Sequence, residues 1–285
     1  MDKSRTIKDV IRHIKDELNN IYPERETNSL IEIILDHVVK LKKTDLLINR
    51  EQTITYQQFK KIEDITKQLK KQKPIQQILG ETEFYNITLK IKPHILIPRQ
   101  ETEELVDWII KDAPVQKKLK ILDVGTGSGC IAIALAKNLP LASVTALDHK
   151  QEIIDIAKEN AQLNDVGIRF ICSNILDEEL PNETYDLIVS NPPYVRPSER
   201  KFMKRNVLDF EPYEALFVKD HDPLIFYRKI IQLAGEHLTA NGFFYFEINE
   251  RLGQEMIRLM KKHNFRNIYL KKDLNNKDRM IKAQK

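Results

Sequence analysis

Two short stretches hold residue types that could do chemistry together. The first is Tyr185–Tyr194, which reads YDLIVSNPPY. Leu187, Ile188 and Val189 form an apolar run with two β-branched members, the signature of a buried parallel strand. The run stops at Ser190, and Asn191-Pro192-Pro193-Tyr194 follows at once. The prolines donate no backbone hydrogen bond and hold φ at about −65°, so the strand must end in a stiff, extended turn. A turn at the carboxyl end of a parallel strand lies where α/β sheets bind ligands. Asn191 Oδ1 and the Pro192 carbonyl can accept the two N–H bonds of a planar amino group, and Tyr194 can pack against its plane. An Asn-Pro turn that merely caps a strand is the plainer alternative.

The second stretch is Gly125-Thr126-Gly127-Ser128-Gly129, set between an apolar strand (Leu119–Val124) and an apolar helix that starts at Cys130. Glycines there permit positive φ and close approach of a ligand to the backbone. Asp148 follows 19 residues after Gly129, at the end of the next strand, where its carboxylate can accept both ribose hydroxyls of an adenosine ligand. A dinucleotide fingerprint needs glycine at 130, where this chain has Cys130, and no phosphate-binding G-x-x-x-x-G-K-[ST] occurs. Asp123, beside the loop, disfavours a pyrophosphate and suits a cationic ligand such as the ammonium group of a methionine-derived cofactor. S-adenosylmethionine is therefore expected rather than NAD or ATP.

These turns need a sheet to bring them together. From Leu119 onward, strands and helices alternate with short connections, predicting an α/β, doubly wound, Rossmann-like sheet. Five strands (119–124, 143–147, 168–172, 185–190 and 243–248) are followed by two antiparallel ones, around Ile268–Lys271 and Arg279–Lys282, giving seven. In such a sheet the first and fourth strands are neighbours, so the glycine loop and the Asn191 turn face one cleft. Upstream, residues 1 to about 73 carry helical stripes: Ile7, Val10, Ile11, Ile14 and Leu18; then Leu30, Ile33, Ile34, His37, Val38 and Leu41; then Phe59, Ile62, Ile65 and Leu69. A bundle of three to five short helices is predicted, with His37 in its core and a helix start at Thr55. Residues 84–91 read as one strand, turning at Lys92-Pro93-His94 and returning as Ile95–Ile97. The expected domains are 1–75 (helical), 76–98 (a β-hairpin linker) and 99–285 (catalytic).

Composition narrows the class. Of 285 residues, 41% are hydrophobic and 31% charged, as in a soluble globular chain. No apolar run approaches the roughly 18 residues of a membrane span, and MDKSRTIKDV has no apolar signal core, so a cytoplasmic location is expected. Cys130 and Cys172, beside apolar residues, should be reduced and buried. There is no CxxC, so no metal site is expected. The net charge of +4 lies in the first 80 residues, leaving the catalytic part neutral. Null roles suit several other residues: a surface ion pair for Arg99 and Glu101, and core strand positions for Phe243, Phe244 and Phe246. Glu211 is balanced between capping a helix near Pro212 and serving the substrate cleft.

DVGTGSGCIAIALA, ALD and NPPY together resemble the class I S-adenosylmethionine-dependent methyltransferases that act on planar nitrogen. LIPRQETEELV (Leu96–Val106), FEPYEALF (Phe210–Phe217) and DLNNKDRMIKA (Asp273–Ala283) narrow the resemblance to the HemK/PrmC family, the glutamine-N5 methyltransferases of peptide chain release factors. It covers about residues 75–285, and the helical N-terminus matches in type only. It implies a methyltransferase sheet with a substrate-recognition domain at 1–75. The implied substrate is the glutamine of the Gly-Gly-Gln tip of class 1 release factors. Gly125, Thr126, Gly127, Ser128, Gly129, Asp148, Ile175 and Asn191 would hold the cofactor, with Ile175 where some members place an aromatic ring against adenine. Asn191, Pro192, Pro193 and Tyr194 would grip the glutamine, Asn191, Pro192 and Tyr194 being the catalytic set. A monomer with no membrane and no stable nucleic-acid partner is expected. The runner-up is a nucleic-acid adenine-N6 or guanine-N2 methyltransferase, which would predict a target-reading module and a strongly basic groove, whereas the catalytic part is charge-neutral and no cluster of five or more Lys/Arg occurs. An inactive cofactor-binding scaffold is third.

Overall fold

The computed structural model describes residues 5–114, 116–177, 180 and 182–285. Its contacts separate into two compact units, one running to Gly80 and including Lys204–Phe210, the other formed by Glu81–Met203 and Glu211–Lys285.

In the first unit a two-residue strand β1 (Arg5–Thr6) pairs with β2 (Thr53–Ile54), and five helices follow the sequence stripes: α1 (Ile7–Leu18), α2 (Glu24–Val39), α3 (Lys43–Ile48), α4 (Tyr56–Lys70) and α5 (Ile75–Leu79). Thr55 starts α4 as expected, its hydroxyl capping Gln58 N while Gln58 caps Thr55 N, a reciprocal pair that satisfies two orphan donors. Ile7, Val10, Ile14 and Leu18 of α1 are fully buried. On α2 the buried face is Leu30, Ile31, Ile34 and Leu35, whereas Ile33 is 41% exposed. His37 is half-buried at the edge of that face, 3.2 Å from Lys61 Nζ, rather than inside the core. The β1–β2 pair is too short to leave a periodic signal.

The second unit begins with a hairpin, β3 (Glu81–Phe84) and β4 (Ile87–Lys90), in register Phe84↔Ile87. The chain reverses at Tyr85-Asn86, both at positive φ (43° and 62°), inside the stretch read as a single strand. Two residues at positive φ make the turn whose twist suits a hairpin; its Tyr-Asn sequence lacks the usual glycine. Ile95 and Ile97 form no strand, although both are buried. Phe84, Ile87 and Leu89 join the core of this unit, and side chains from a later helix, α8 (Gln151–Leu163), and its cap complete the hairpin's hydrogen bonds. Asn160 bonds Lys90 N and O at 2.8 and 3.2 Å, and Asn164 donates to Thr88 O at 2.8 Å.

The α/β alternation follows: α6 (Gln100–Asp112), β5 (Lys120–Val124), α7 (Cys130–Asn138), β6 (Ser143–Asp148), α8 (Gln151–Leu163), β7 (Arg169–Cys172) and β8 (Tyr185–Ser190). After a 3-10 turn at Pro197–Phe202 come α9 (Arg205–Phe210, in the first unit), α10 (Tyr213–Leu216), α11 (Ile225–His237), β9 (Leu238–Glu247), α12 (Gly253–Lys262), β10 (Arg266–Lys272) and β11 (Asp278–Gln284). The seven strands β5–β11 lie in the order β10-β11-β9-β8-β5-β6-β7. β5 and β8 are parallel neighbours, with Val124 opposite Ser190, as the doubly wound reading requires. β11 alone runs opposite to the other six strands, and it sits inside the sheet between β9 and β10, leaving β10 at that edge. Cores cover both faces. Leu187 and Val189 pack with residues of α6 and α7, while Ile188 packs with residues of α11 and α12. Phe244 and Phe246 are fully buried, Phe243 partly so. Cys130 is buried at the start of α7, but Cys172 is exposed, because it ends the edge strand β7.

Gly129 takes φ +83° at the cap of α7, and a Cβ there would lie 2.9 Å from Ile133 Cδ1 and 3.3 Å from Ala157 Cβ. Gly127 has φ +55° and no atom within 4 Å of such a Cβ. Both alanine variants carry left-handed strain of about 1–2 kcal/mol, but only Gly129→Ala also forces α7 against α8. Chemical denaturation should show Gly129→Ala as clearly the less stable of the two.

Candidate active site

The carboxyl ends of β5, β6 and β8 open onto one cavity of about 520 Å³, within the size range of small-molecule pockets. Its lining includes Gly125, Thr126, Gly127, Ser128, Asp148, Ile175, Asn191, Pro192 and Pro193. The two chemistry-bearing turns therefore share one space. Gly129 and Tyr194 lie outside that lining. Gly129 serves the α7–α8 contact described above, and the Tyr194 hydroxyl is turned away to Glu247.

The glycine turn is built from its own backbone. Gly125 N and Thr126 N both donate to Leu147 O (3.0 and 2.9 Å), and Gly129 N donates to Thr126 O (2.9 Å). Gly127 N donates to Asp148 Oδ2 at 2.9 Å, so the acid that ends β6 also fixes the loop. Asp148 Oδ1 accepts from His149 N (2.8 Å) and lies 2.9 Å from His149 Nδ1, and this hydrogen bond is the main reason the imidazole pKa is raised. A carboxylate offers about four lone-pair sites, so Asp148 keeps acceptor capacity toward the cavity. Nothing approaches the faces of Gly125 and Gly127 where a Cβ would stand. An open glycine backbone beside a carboxylate at the next strand end fits an adenosine-bearing ligand.

Asp123 is fully buried and is not part of the cavity wall, contrary to the expectation that it meets a ligand cation directly. It shares the sheet face of Ile121. Thr126 Oγ1 donates to its Oδ2 at 2.6 Å, whereas its Oδ1 has no partner. Burial pushes its pKa up to about 7, against the opposing hydrogen bonds from Thr126 and Ala132.

The Asn191 turn is held from behind by groups far away in the chain. Ser190 Oγ donates to Val124 O at 2.7 Å, locking the two strand ends together. Asn191 Nδ2 donates to Glu247 Oε2 at 2.9 Å and to Thr102 Oγ1 at 3.1 Å. Thr102 Oγ1 donates to the same Glu247 Oε2 at 2.6 Å, and Tyr194 OH donates to Glu247 Oε1 at 2.9 Å. No donor among the described residues reaches Asn191 Oδ1, which remains the open acceptor of a side chain on the cavity wall. Burial and the Glu247 charge hold the Tyr194 phenol well above its ordinary pKa, so it stays a donor. Sequence reading missed Glu247 and Thr102. The available signal was a lone carboxylate closing the apolar run FFYF at a strand's carboxyl end.

Arg99 lines the cavity and does not pair with Glu101. It bonds Glu211 Oε1 at 2.5 Å, and Ile97 N donates to Glu211 Oε2 at 3.3 Å. Glu211 thus anchors the segment before α6 and does not cap a helix. Also in the lining, Lys150 and His149 both meet Glu214.

Among known proteins, family models described as "Methyltransferase small domain" and "PrmC N-terminal domain" match residues 102–208 and 9–80. A release factor glutamine methyltransferase of Flavobacterium psychrophilum is 51% identical over 269 residues, covering 93% of this chain and 94% of its own length. One of Bacteroides thetaiotaomicron is 40% identical over 97% of this chain and 99% of its own length. One of Streptococcus pneumoniae is 43% identical over 78% and 79%.

Asp123 has a folded-state pKa above its unfolded one, so the unfolded chain loses this proton first as pH rises. Its contribution to stability is fully present below about pH 4 and is lost by about pH 7. Asp123→Asn should abolish that slope. Melting temperatures of the two proteins should diverge across this window, the wild type falling relative to the variant, and run parallel above it.

Proposed function

This chain belongs to the release factor glutamine methyltransferase family, and we propose that it transfers a methyl group from S-adenosylmethionine to the side-chain amide nitrogen (N5) of the glutamine in the Gly-Gly-Gln motif of class 1 peptide chain release factors. The single cavity shared by the glycine turn and the Asn191 turn carries this proposal. When bound, S-adenosylmethionine supplies an electrophilic methyl group on a positively charged sulfur. Gly125, Thr126, Gly127 and Ser128 would offer backbone to it, Asp148 would accept its ribose hydroxyls, and Ile175 would give the adenine an aliphatic wall.

An amide nitrogen is a poor nucleophile because its lone pair is delocalised into the carbonyl. Asn191 Oδ1 and the Pro192 carbonyl would accept its two N–H bonds, holding the nitrogen in one orientation and stabilising the positive charge that develops on it until one of those two protons passes to water. Alignment of this kind can be worth about 7–11 kcal/mol. Pro192 and Pro193 keep the turn stiff, so the acceptors need little reorganisation. Tyr194 acts from behind, through Glu247. Residues 1–75 would be the release-factor recognition domain, 76–98 the hairpin linker and 99–285 the methyltransferase domain. The protein would work as a cytoplasmic monomer without stable nucleic-acid binding. No helix among the described residues is long and apolar enough to cross a membrane.

Labelled methyl transfer tests the assignment. Label should enter a class 1 release factor, should fail to enter its Gln-to-Ala variant, and should not enter DNA or rRNA. Methylation of nucleic acid with none of the release factor would overturn it in favour of the base-methylating alternative. Asn191→Ala should lower kcat by about 10²–10³-fold, the cost of losing one preorganised partner of developing charge, with the fold retained. Undiminished turnover would remove Asn191 from the mechanism.

A further inference from the structure

Glu247 is the one acidic residue of β9 and is 1% exposed. It does not border the cavity. A buried carboxylate is costly unless hydrogen-bonded, and this one has three side-chain donors: Thr102, Asn191 and Tyr194. Their directions are coupled. Thr102 Oγ1 donates its single proton to Glu247 Oε2 at 2.6 Å, the direction that an ionised carboxylate, which only accepts, requires. The Thr102 oxygen is then left with lone pairs, and it lies 3.1 Å from Asn191 Nδ2. Both groups behind Asn191 are therefore acceptors. They require the NH2 end of its amide, because turning the amide over would set Oδ1 against two oxygens.

We propose that Glu247 is a positioning residue for glutamine methylation: with Thr102 it fixes the direction of the Asn191 amide, so that Oδ1 and not Nδ2 faces the substrate amide. An inverted Asn191 would present N–H against N–H and repel the group it must hold. This inference rests on the function proposed above. Other groups bear on Glu247 without filling this role. Tyr227 OH donates to its backbone carbonyl at 3.1 Å, Glu101 on α6 adds negative charge, and Arg279 on β11 adds positive charge. Burial, the largest influence, raises the Glu247 pKa. The hydrogen bonds from Thr102 and Tyr194 oppose that effect.

The test compares Glu247→Met, Glu247→Gln and Asn191→Ala, with the Met/Ala double variant, by single-turnover methyl transfer and thermal melting. Glu247→Met removes the acceptors while filling the space, and kcat should fall about 10- to 100-fold, as for other residues that orient a functional group. Cofactor affinity should stay unchanged. Glu247→Gln can turn its carbonyl toward Asn191 and its amide toward Tyr194, and should recover most of the loss. In the Asn191→Ala background the Met substitution should cost nothing more. Full activity of Glu247→Met would overturn the proposal, as would a loss of the same size with and without Asn191. Should the Met variant not fold, Thr102→Val removes the other acceptor, and its smaller loss must likewise vanish beside Asn191→Ala. If the wild type methylates some other acceptor and no release factor, the function proposed above fails, and the same cycle run on that acceptor still judges Glu247.

Discussion

Parallel pairing of β5 with β8 is the constraint from which the site follows. Parallel neighbours end at the same edge of a sheet, and the register that sets Val124 opposite Ser190 brings the glycine turn and the Asn191 turn out side by side. The Ser190 hydroxyl bonded to Val124 O reinforces that alignment at the last residue of each strand. Both strands are buried on both faces, so a slip in register would cost core packing as well as hydrogen bonds. Asn160 extends the same rigidity outward. It is completely buried and bonds Ser128 O in the glycine turn as well as Lys90 in the hairpin.

Two buried acids stand behind the two turns, and they are satisfied to different degrees. Glu247 has side-chain donors on both oxygens, whereas Asp123 has a partner on one oxygen only. Burial disfavours the ionised form of each. Neither touches the cavity, yet each braces a residue that does: Thr126 in one case, Asn191 in the other. These two acids are thus set back from the ligand space, where they orient neutral dipoles. The wall itself presents backbone, amide and proline, together with the carboxylates of Asp148, Glu152 and Glu214.

Much of this was legible from local pattern. Apolar runs, glycine spacing and the proline pair depend on near neighbours in sequence, and they located β5, β8, Asp148 and Asn191. What escaped depends on distant partners. Thr102 and Glu247 are 145 residues apart, and nothing near either one hints that they meet. The hairpin turn hid because Tyr85 and Asn86 adopt positive φ without a glycine. On α2 the choice between Ile31 and Ile33 could not be made from a stripe rich in isoleucine, since it depends on where the neighbouring helices lie. Cys172 reads as core by its neighbours but ends an edge strand, where the covering layer runs out.

The placement of β11 has a consequence for how the molecule is made. β10 is synthesised before β11, yet β11 lies between β10 and β9, with Met280 paired to Glu247. Until residues 278–284 emerge, β9 offers a bare edge to its surroundings, and β10 has no neighbour within the sheet. Vectorial growth of the chain therefore cannot finish the sheet strand by strand. A nascent protein with its glycine turn already formed still lacks the strand that pairs with Glu247, the residue bonded to Asn191.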